Sequence, residues 1–427
     1  MKRLWLCLVS ALLLVACSNE IPEVPAQKKS ERTMLAYLVA QVDNPGIDLG
    51  RLLRQNVVDM YVGLASSAKP STLLVYYRPG YNDPLVESER GGESAVLSGP
   101  SLLKFDFDGK RSINGKPVLS QTELSAHRVF EQAEIHPYKE SNHIATSPAT
   151  MTQIFRDMVK MSPSESYGLV FGSHGTGWMP GHSVETKSFG EDRGYSIDIP
   201  VLAEVLKTVF AKGDLEFILF DACMMAATEV FYELRDVTNY CVGSVMETPI
   251  DGFPYKSIMP TFYQNVVDYK KICDEFISHN ETSPTAGWGT VAAVDCSKMQ
   301  MLADWVKEAL ANTYPQWQGD YFEKVQQYGH GHFKYFSFDV VDFFRQLNGE
   351  APSDLLQIMN QVVIAKNCLS GPEHKFGNLE IEGDKFCGIG MYIPYLFSSE
   401  TYRKNWDEYY ESSIAWYNAV EWMNYRP

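Results

Sequence analysis

The sequence predicts an α/β fold built on a mostly parallel sheet. Three observations carry this. Short continuous apolar runs recur through the first two thirds of the chain. Stretches with helical apolar spacing separate them. Glycine, proline or aspartate closes most of the runs. The 427 residues are 45% hydrophobic and 21% charged, the composition of a folded globular chain.

The elements follow in order. Thr33–Ala40 reads as a buried strand, and Leu49–Leu64 has helical spacing. Ser71–Tyr77 is a second strand, ended by Arg78-Pro79-Gly80. Ser101–Phe107 is a third, ended by Asp108-Gly109. Thr150–Met161 places Met151, Ile154, Phe155, Met158 and Val159 on one helical face, and Ser162-Pro163 stops it. Tyr167–Phe171 is a short apolar strand running into Gly172-Ser173-His174-Gly175-Thr176-Gly177. The segment Gly181–Ile197 is polar, holds three glycines and reads as an exposed loop. Pro200–Phe210 reads as a helix, Leu215–Phe220 as a strand and Met224–Leu234 as a helix. Cys241–Val245 reads as a further strand. Later, Gly287–Val294 reads as a strand, Met301–Ala311 and Ser353–Ala365 as helices, and Phe333–Phe344 and Cys387–Pro394 as strands. The part after residue 300 is mixed and largely helical.

The N-terminus reads as an export signal. Lys2 and Arg3 precede an apolar stretch from Leu4 to Val15. It closes on Leu14-Val15-Ala16-Cys17, which resembles a bacterial lipoprotein processing box and implies lipidation of Cys17. Residues 1–16 are then a removed signal peptide, and 17–32, polar with two prolines, a tether. After Val15 no apolar run reaches the ~20 residues that cross a bilayer. The formal net charge of −16 opposes a phosphate backbone, so nucleic-acid binding is not expected. Cys223, Cys241, Cys273, Cys296, Cys368 and Cys387 form no CxxC pair, so zinc-ribbon spacing is absent. Their spread reads as small buried hydrophobes.

One unit carries chemistry. If strand 167–171, helix 200–210 and strand 215–220 form a βαβ unit, the two strands are parallel and close in the sheet. His174 and Cys223 each follow their strand by three residues, so both leave at the carboxyl edge, where open α/β sheets place ligands. A thiolate attacking a carbonyl needs an ionisable sulfur, a proton carrier and donors for the oxyanion. Cys223, read as preceding a helix, supplies the first. His174 supplies the second. The backbone N–H groups of Gly175 and Cys223 supply the third.

These residues resemble a known family. YGLVFGSHGTGW and LEFILFDACMMA are similar to the His-Gly and Asp-Ala-Cys blocks of the clostripain family of cysteine peptidases, in the caspase-like clan with gingipains, legumains and separases. SPATMTQIFRDMV, VGSVMETPIDGFPY and CGIGMYIP resemble its other segments. The likeness runs from about Thr33 to about Pro394. It departs at Ala40-Gln41-Val42-Asp43-Asn44-Pro45, where the family usually has an Ala-Asp-Asn-Asn-Leu-type loop. The resemblance implies a caspase-like three-layer sandwich; the less regular second half of the chain places a boundary near residue 300, with 33–300 as peptidase core and 301–427 as C-terminal region. It implies an endopeptidase with a Cys223–His174 dyad, cutting after Arg or Lys. No cofactor is required. Some relatives use calcium and self-cleave between the dyad residues.

Other residues are weighed against that frame. Asp221 lines the specificity pocket or caps the following helix. Asp251, in an Asp-Gly turn, is a second pocket acid or a turn former, and Glu247 is its rival. His330 and His332 read as a metal pair or as a solvated loop. Trp178 walls the cleft or packs in the core. Lys187 and Arg193, in the loop between the dyad residues, are the candidate self-cleavage positions. The two glycines around His174 are not a phosphate loop, since no Gly-Lys-Ser/Thr follows. The reading is an exported, lipid-anchored bacterial thiol protease of the cell envelope, at the outer membrane or cell surface. Its partners are Arg- or Lys-containing peptides and, through its lipid, a membrane. The rival reading is a catalytically silent surface binding lipoprotein on the same scaffold.

Overall fold

A computed structural model describes residues 30–40, 48–86, 94–139, 143–180, 188–313, 321–396 and 401–425. The strands are β1 (Ser30–Val39), β2 (Ser71–Arg78), β3 (Ser101–Phe107), β4 (Ser112–Ile113), β5 (Lys116–Pro117), β6 (Glu134–Pro137), β7 (Ser164–Gly172), β8 (Phe189–Asp192), β9 (Tyr195–Ile197), β10 (Leu215–Asp221), β11 (Thr238–Gly243), β12 (Thr290–Asp295), β13 (Phe338–Asp339), β14 (Val363–Cys368) and β15 (Gly390–Met391). The helices are α1 (Leu49–Ala65), α2 (Ala126–Gln132), α3 (Pro148–Met161), α4 (Ile199–Val209), α5 (Thr228–Leu234), α6 (Tyr255–Phe262), α7 (Tyr269–Glu281), α8 (Met299–Thr313), α9 (Val340–Asn348), α10 (Ser353–Val362), α11 (Thr401–Ser413) and α12 (Ala415–Ala419).

One sheet organises the chain, in the order β14-β12-β11-β10-β7-β1-β2-β3-β4-β5, with β6 also on β3. The five strands from β2 to β11 are parallel, and both flanks are antiparallel. Alternation along β1 shows why the sheet is covered twice. Leu35, Tyr37 and Val39 enter one core with α3, α4, α5 and α8. Met34, Ala36 and Leu38 enter the other with α1, α6 and α7. Two buried faces explain the unbroken apolar runs of the central strands. This is the three-layer α/β architecture expected.

The sheet and the first core continue past residue 300: β14 pairs with β12, and Trp406, Tyr410, Trp416 and Trp422 lie in the α3–α8 core. Ser30–Arg32, read as the end of the tether, already belong to β1. Among the described residues no helix is long and apolar enough to cross a membrane. Cys17 and the signal segment lie outside the described residues, as does the departing loop at 41–45.

Several local readings change. Residues 333–344, read as a strand, form the two-residue β13 followed by helix α9. Asp339 caps that helix by accepting from the Asp342 N–H at 2.8 Å, a signal overlooked in the apolar run. The stretch 387–394 contributes only β15. Helices α6 and α7 lie outside the predicted elements, although in α7 Ile272, Cys273, Phe276 and Ile277 have helical spacing and Asp268 caps it. The stretch 188–197 is not an irregular loop. It is the β8–β9 hairpin, turned at Arg193 and Gly194, both with positive φ. Asp192 in it pairs with Arg78 at 3.0 Å with both side chains buried, and accepts the Ala145 N–H at 2.6 Å.

Candidate active site

Strands β7 and β10 are direct neighbours, parallel, with Phe171 opposite Phe220 and Gly172 opposite Asp221. His174 and Cys223 each lie two residues beyond that last rung, at the same edge of the sheet. The βαβ reading of this unit holds, with α4 as the crossover. The loop after β7 folds back on β8: the Gly190 N–H donates to the His174 carbonyl at 2.8 Å, and the Thr176 N–H to Ser188 at 3.1 Å. Neither bond engages the Gly175 amide. A Cβ on Gly175 would stand 2.8 Å from the Cys223 carbonyl oxygen, so only glycine lets the two loops close on each other.

The environment of Cys223 differs from expectation in one respect. The chain does not enter a helix there. Met224 has φ +59°, and α5 begins only at Thr228. Met224 and Ala226 instead donate to Met246 and Ser244 at 2.9 and 2.8 Å, tying the segment to the chain after β11. The helix-dipole argument for a low thiol pKa therefore fails, because a macrodipole acts only within its first turn. Cys223 is partly buried, and its Sγ accepts from the Thr248 N–H at 3.4 Å. Burial pushes the thiol up to about 12; that N–H opposes the shift, and the carboxylates of Glu247 and Asp221 add to it. Thr248 was overlooked because a backbone donor leaves no mark in the sequence.

Asp221 does not cap the following helix, which removes that alternative. It points toward α1 and α6, where its Oδ2 accepts from Tyr255 Oη at 2.9 Å and Asn56 Nδ2 at 3.1 Å. Burial raises its carboxyl to about 6 against those donors and the Phe253 N–H. Gly252, with φ +61°, abuts this carboxylate: a Cβ there would lie 2.8 Å from Asp221 Oδ2. Asp251 is thus one residue from the Asp221 contact, and it accepts from Ser283 and from Thr285 Oγ1 at 2.9 Å. Glu247 lies near Cys223 and faces His330, whose Nδ1 is 3.8 Å from Glu247 Oε1.

The other residues separate. Trp178 is fully buried among Phe336, Tyr392 and Tyr410, so it packs and does not wall a cleft. Arg193 sits at the exposed tip of the β8–β9 hairpin, and Lys187 lies outside the described residues. Four of the six cysteines are buried, and all six are free. Among the described residues, no group of three or more His, Cys, Asp or Glu side chains is placed to hold a metal ion. The segments beyond residue 300 brace the site. Gly390 N–H donates to Ala226 at 3.0 Å, and Tyr392 N–H and Tyr410 Oη donate to the buried Glu229 at 2.9 and 2.8 Å.

Three solved structures share this architecture. A secreted C11 cysteine protease from Bacteroides thetaiotaomicron, in complex with an irreversible peptide inhibitor, is 22% identical with a TM-score of 0.65, covering 92% of this chain and 99% of that one. The B. thetaiotaomicron protease iotapain is 24% identical with the same TM-score and coverage. An inactive zymogen C11 protease from Parabacteroides distasonis, 22% identical, has the same TM-score and coverage. At these identities the likeness establishes the fold. No curated protein sequence matches the chain. The sequence model of the clostripain family matches residues 119–425, a span holding the His174 and Cys223 loops and the C-terminal segments that brace them. The chain belongs to the clostripain family and is a cysteine peptidase.

Proposed function

We propose that this peptidase is an exported, lipid-anchored endopeptidase that cuts after Arg or Lys, with Cys223 as nucleophile and His174 as general acid and base. The observation that carries the reading is the placement of both residues two positions past the Gly172–Asp221 rung, with Gly175 packed on the Cys223 carbonyl. The thiol gives its proton to His174, and the sulfur attacks the scissile carbonyl carbon. The tetrahedral oxyanion is held by backbone N–H groups, with Gly175 and Cys223 as the candidates. His174 then protonates the departing amine, leaving a thioester. Water, deprotonated by His174, hydrolyses it and frees the thiol. Burial disfavours a resting thiolate, so transfer of the proton to His174 accompanies the attack.

A cationic side chain before the scissile bond is read by Asp221, with Asp251 beside it through Gly252. Tyr255 and Asn56 hold Asp221 in one orientation, which suits a fixed pocket acid. Calcium, implied by the resemblance, enters none of these steps. Export and anchoring rest on Lys2, Arg3, the apolar stretch and Cys17. Self-processing is assigned to Lys187 ahead of Arg193, since cutting at Arg193 requires the closed β8–β9 hairpin to open.

A positional peptide library assayed with and without a calcium chelator tests the specificity. Cleavage confined to Arg and Lys is expected; turnover indifferent to that position overturns it. Anchoring is tested by Cys17→Ser: the variant is expected to leave the membrane fraction, and its retention after a high-salt wash refutes lipidation.

A further inference from the structure

His330 packs in a half-buried position, while the side chain of His332 lies outside the described residues. Its ring stacks on Phe376 with centroids 4.7 Å apart and planes 19° off parallel, and Phe376 packs on Trp288 at 4.2 Å. The next residue crowds the ring as well: a Cβ at Gly377 would lie 2.8 Å from His330 Cδ2. The imidazole is clamped, and its Nδ1 is directed at Glu247 Oε1 across 3.8 Å. That gap is too long for a hydrogen bond. Both His330 Nδ1 and Glu247 Oε2 are buried without a hydrogen-bond partner. A clamped imidazole facing a half-satisfied carboxylate is costly to build and needs a reason.

The reason lies one residue along the chain. Glu247 precedes Thr248, whose N–H donates to Cys223 Sγ. The ionisable groups on the elements around the sulfur are Asp221 at the end of β10, Glu247 and Asp251 after β11, His174 after β7, and His330 beyond Glu247. Glu247 and Asp221 both oppose a thiolate. Asp221 is already held by Tyr255 and Asn56. Glu247 has His330 as its ion-pair partner.

We infer that Glu247 and His330 form a charge pair that governs how readily the Cys223 thiol ionises, His330 acting as a positioning residue that cancels the Glu247 charge. The inference rests on the reading of Cys223 as nucleophile. It gives the region beyond residue 300 an influence on the site through Glu247. Protonated His330 offsets the carboxylate and lets negative charge develop on sulfur. Neutral His330 leaves the carboxylate to repel it.

Alkylation of Cys223 by iodoacetamide in the full chain, located by peptide mapping and followed from about pH 5 to 9, reads the thiolate directly. Glu247→Gln should speed alkylation about tenfold at pH 7, the effect of a shift of about one pH unit. His330→Gln, which removes the partner of the Glu247 carboxylate, should slow it at least threefold. In the Glu247→Gln background, His330→Gln should do nothing further. Unchanged profiles, or both variants moving the rate the same way at every pH, overturn the charge pair. Labelling of the buried Cys241 and Cys273 exposes a misfolded variant. His330→Asn then takes the place of His330→Gln, with the same expectation. If Cys223→Ala keeps peptidase activity, the nucleophile assignment falls, while the alkylation profile still decides the pair.

Discussion

Gly175 and Cys223 meet backbone to backbone: a single added carbon on Gly175 would stand 2.8 Å from the Cys223 carbonyl oxygen. The same carbon would press on Ala222 Cβ and Met225 Sδ at 3.1 Å each. A carbonyl within a braced segment has little room to retreat. Gly175→Ala should therefore part the histidine and cysteine loops. We expect kcat/KM to fall at least tenfold, with a stability loss of about 1–3 kcal/mol from overpacking. Steady-state kinetics beside a urea titration separate the two effects. Wild-type turnover in Gly175→Ala would show that the loop contact does not set the site.

Cys223→Ala should abolish peptide hydrolysis while leaving the unfolding midpoint close to that of the wild type. The side chain is only partly buried, and the Thr248 N–H reaches its Sγ at 3.4 Å. His174→Ala should lower kcat by several orders of magnitude, since it removes the proton carrier proposed for both the thiol and the leaving amine. Active-site titration of both variants gives the answer. Residual activity above one per cent or so in Cys223→Ala would move the nucleophile elsewhere.

Asp221→Asn should lower kcat/KM for Arg and Lys peptides much more than for neutral ones. The carboxylate accepts from Tyr255 and Asn56, so the amide also turns a donor toward donors. Some loss on every substrate is expected for that reason. The diagnostic quantity is the ratio between cationic and neutral peptides, expected to drop at least tenfold. An equal loss on both classes would make Asp221 a structural acid.

Glu229 makes stability pH-dependent. It is fully buried, and burial raises its carboxyl to about 7, against the donors Tyr392 N–H and Tyr410 Oη. A folded-state value above the unfolded one means that the native state holds the proton more tightly. Its contribution is then complete below about 4.5 and is lost as pH rises through 7. The wild-type melting temperature should fall between pH 5 and pH 8. Glu229→Gln should flatten that slope and gain about 2 kcal/mol at pH 8, with little change at pH 5. A parallel slope in the variant would assign the titration to another group.

Lys187→Ala should leave the chain in one piece if self-processing occurs there, while Arg193→Ala should still be cut. Intact-mass measurement of wild type, both variants and Cys223→Ala decides it. Fragments in Cys223→Ala identical to those in the wild type would point to an outside protease.

The sequence by itself determined the alternation of buried strands and helices. Strands covered on both faces must be apolar throughout, and helices covered on one face must repeat every three to four residues. Those rules place β1, β2, β3, β7 and β10 within a few residues, and with them the shared edge from which His174 and Cys223 emerge. Short or capped pieces escaped. Helix α9 hid inside the apolar run 333–344, and the β8–β9 hairpin looked polar because its buried Asp192 pairs with Arg78, far away in the chain. What only the tertiary structure decided are the relations between distant segments. Thr248 on the sulfur, Asn56 and Tyr255 on Asp221, and His330 facing Glu247 join residues 25 to 165 positions apart. Such contacts follow from how strands and loops are stacked, and local periodicity carries no record of that. The start of α5 at Thr228 has the same origin: hydrogen bonds from Met224 and Ala226 to the chain after β11 outweigh the helical propensity of that stretch.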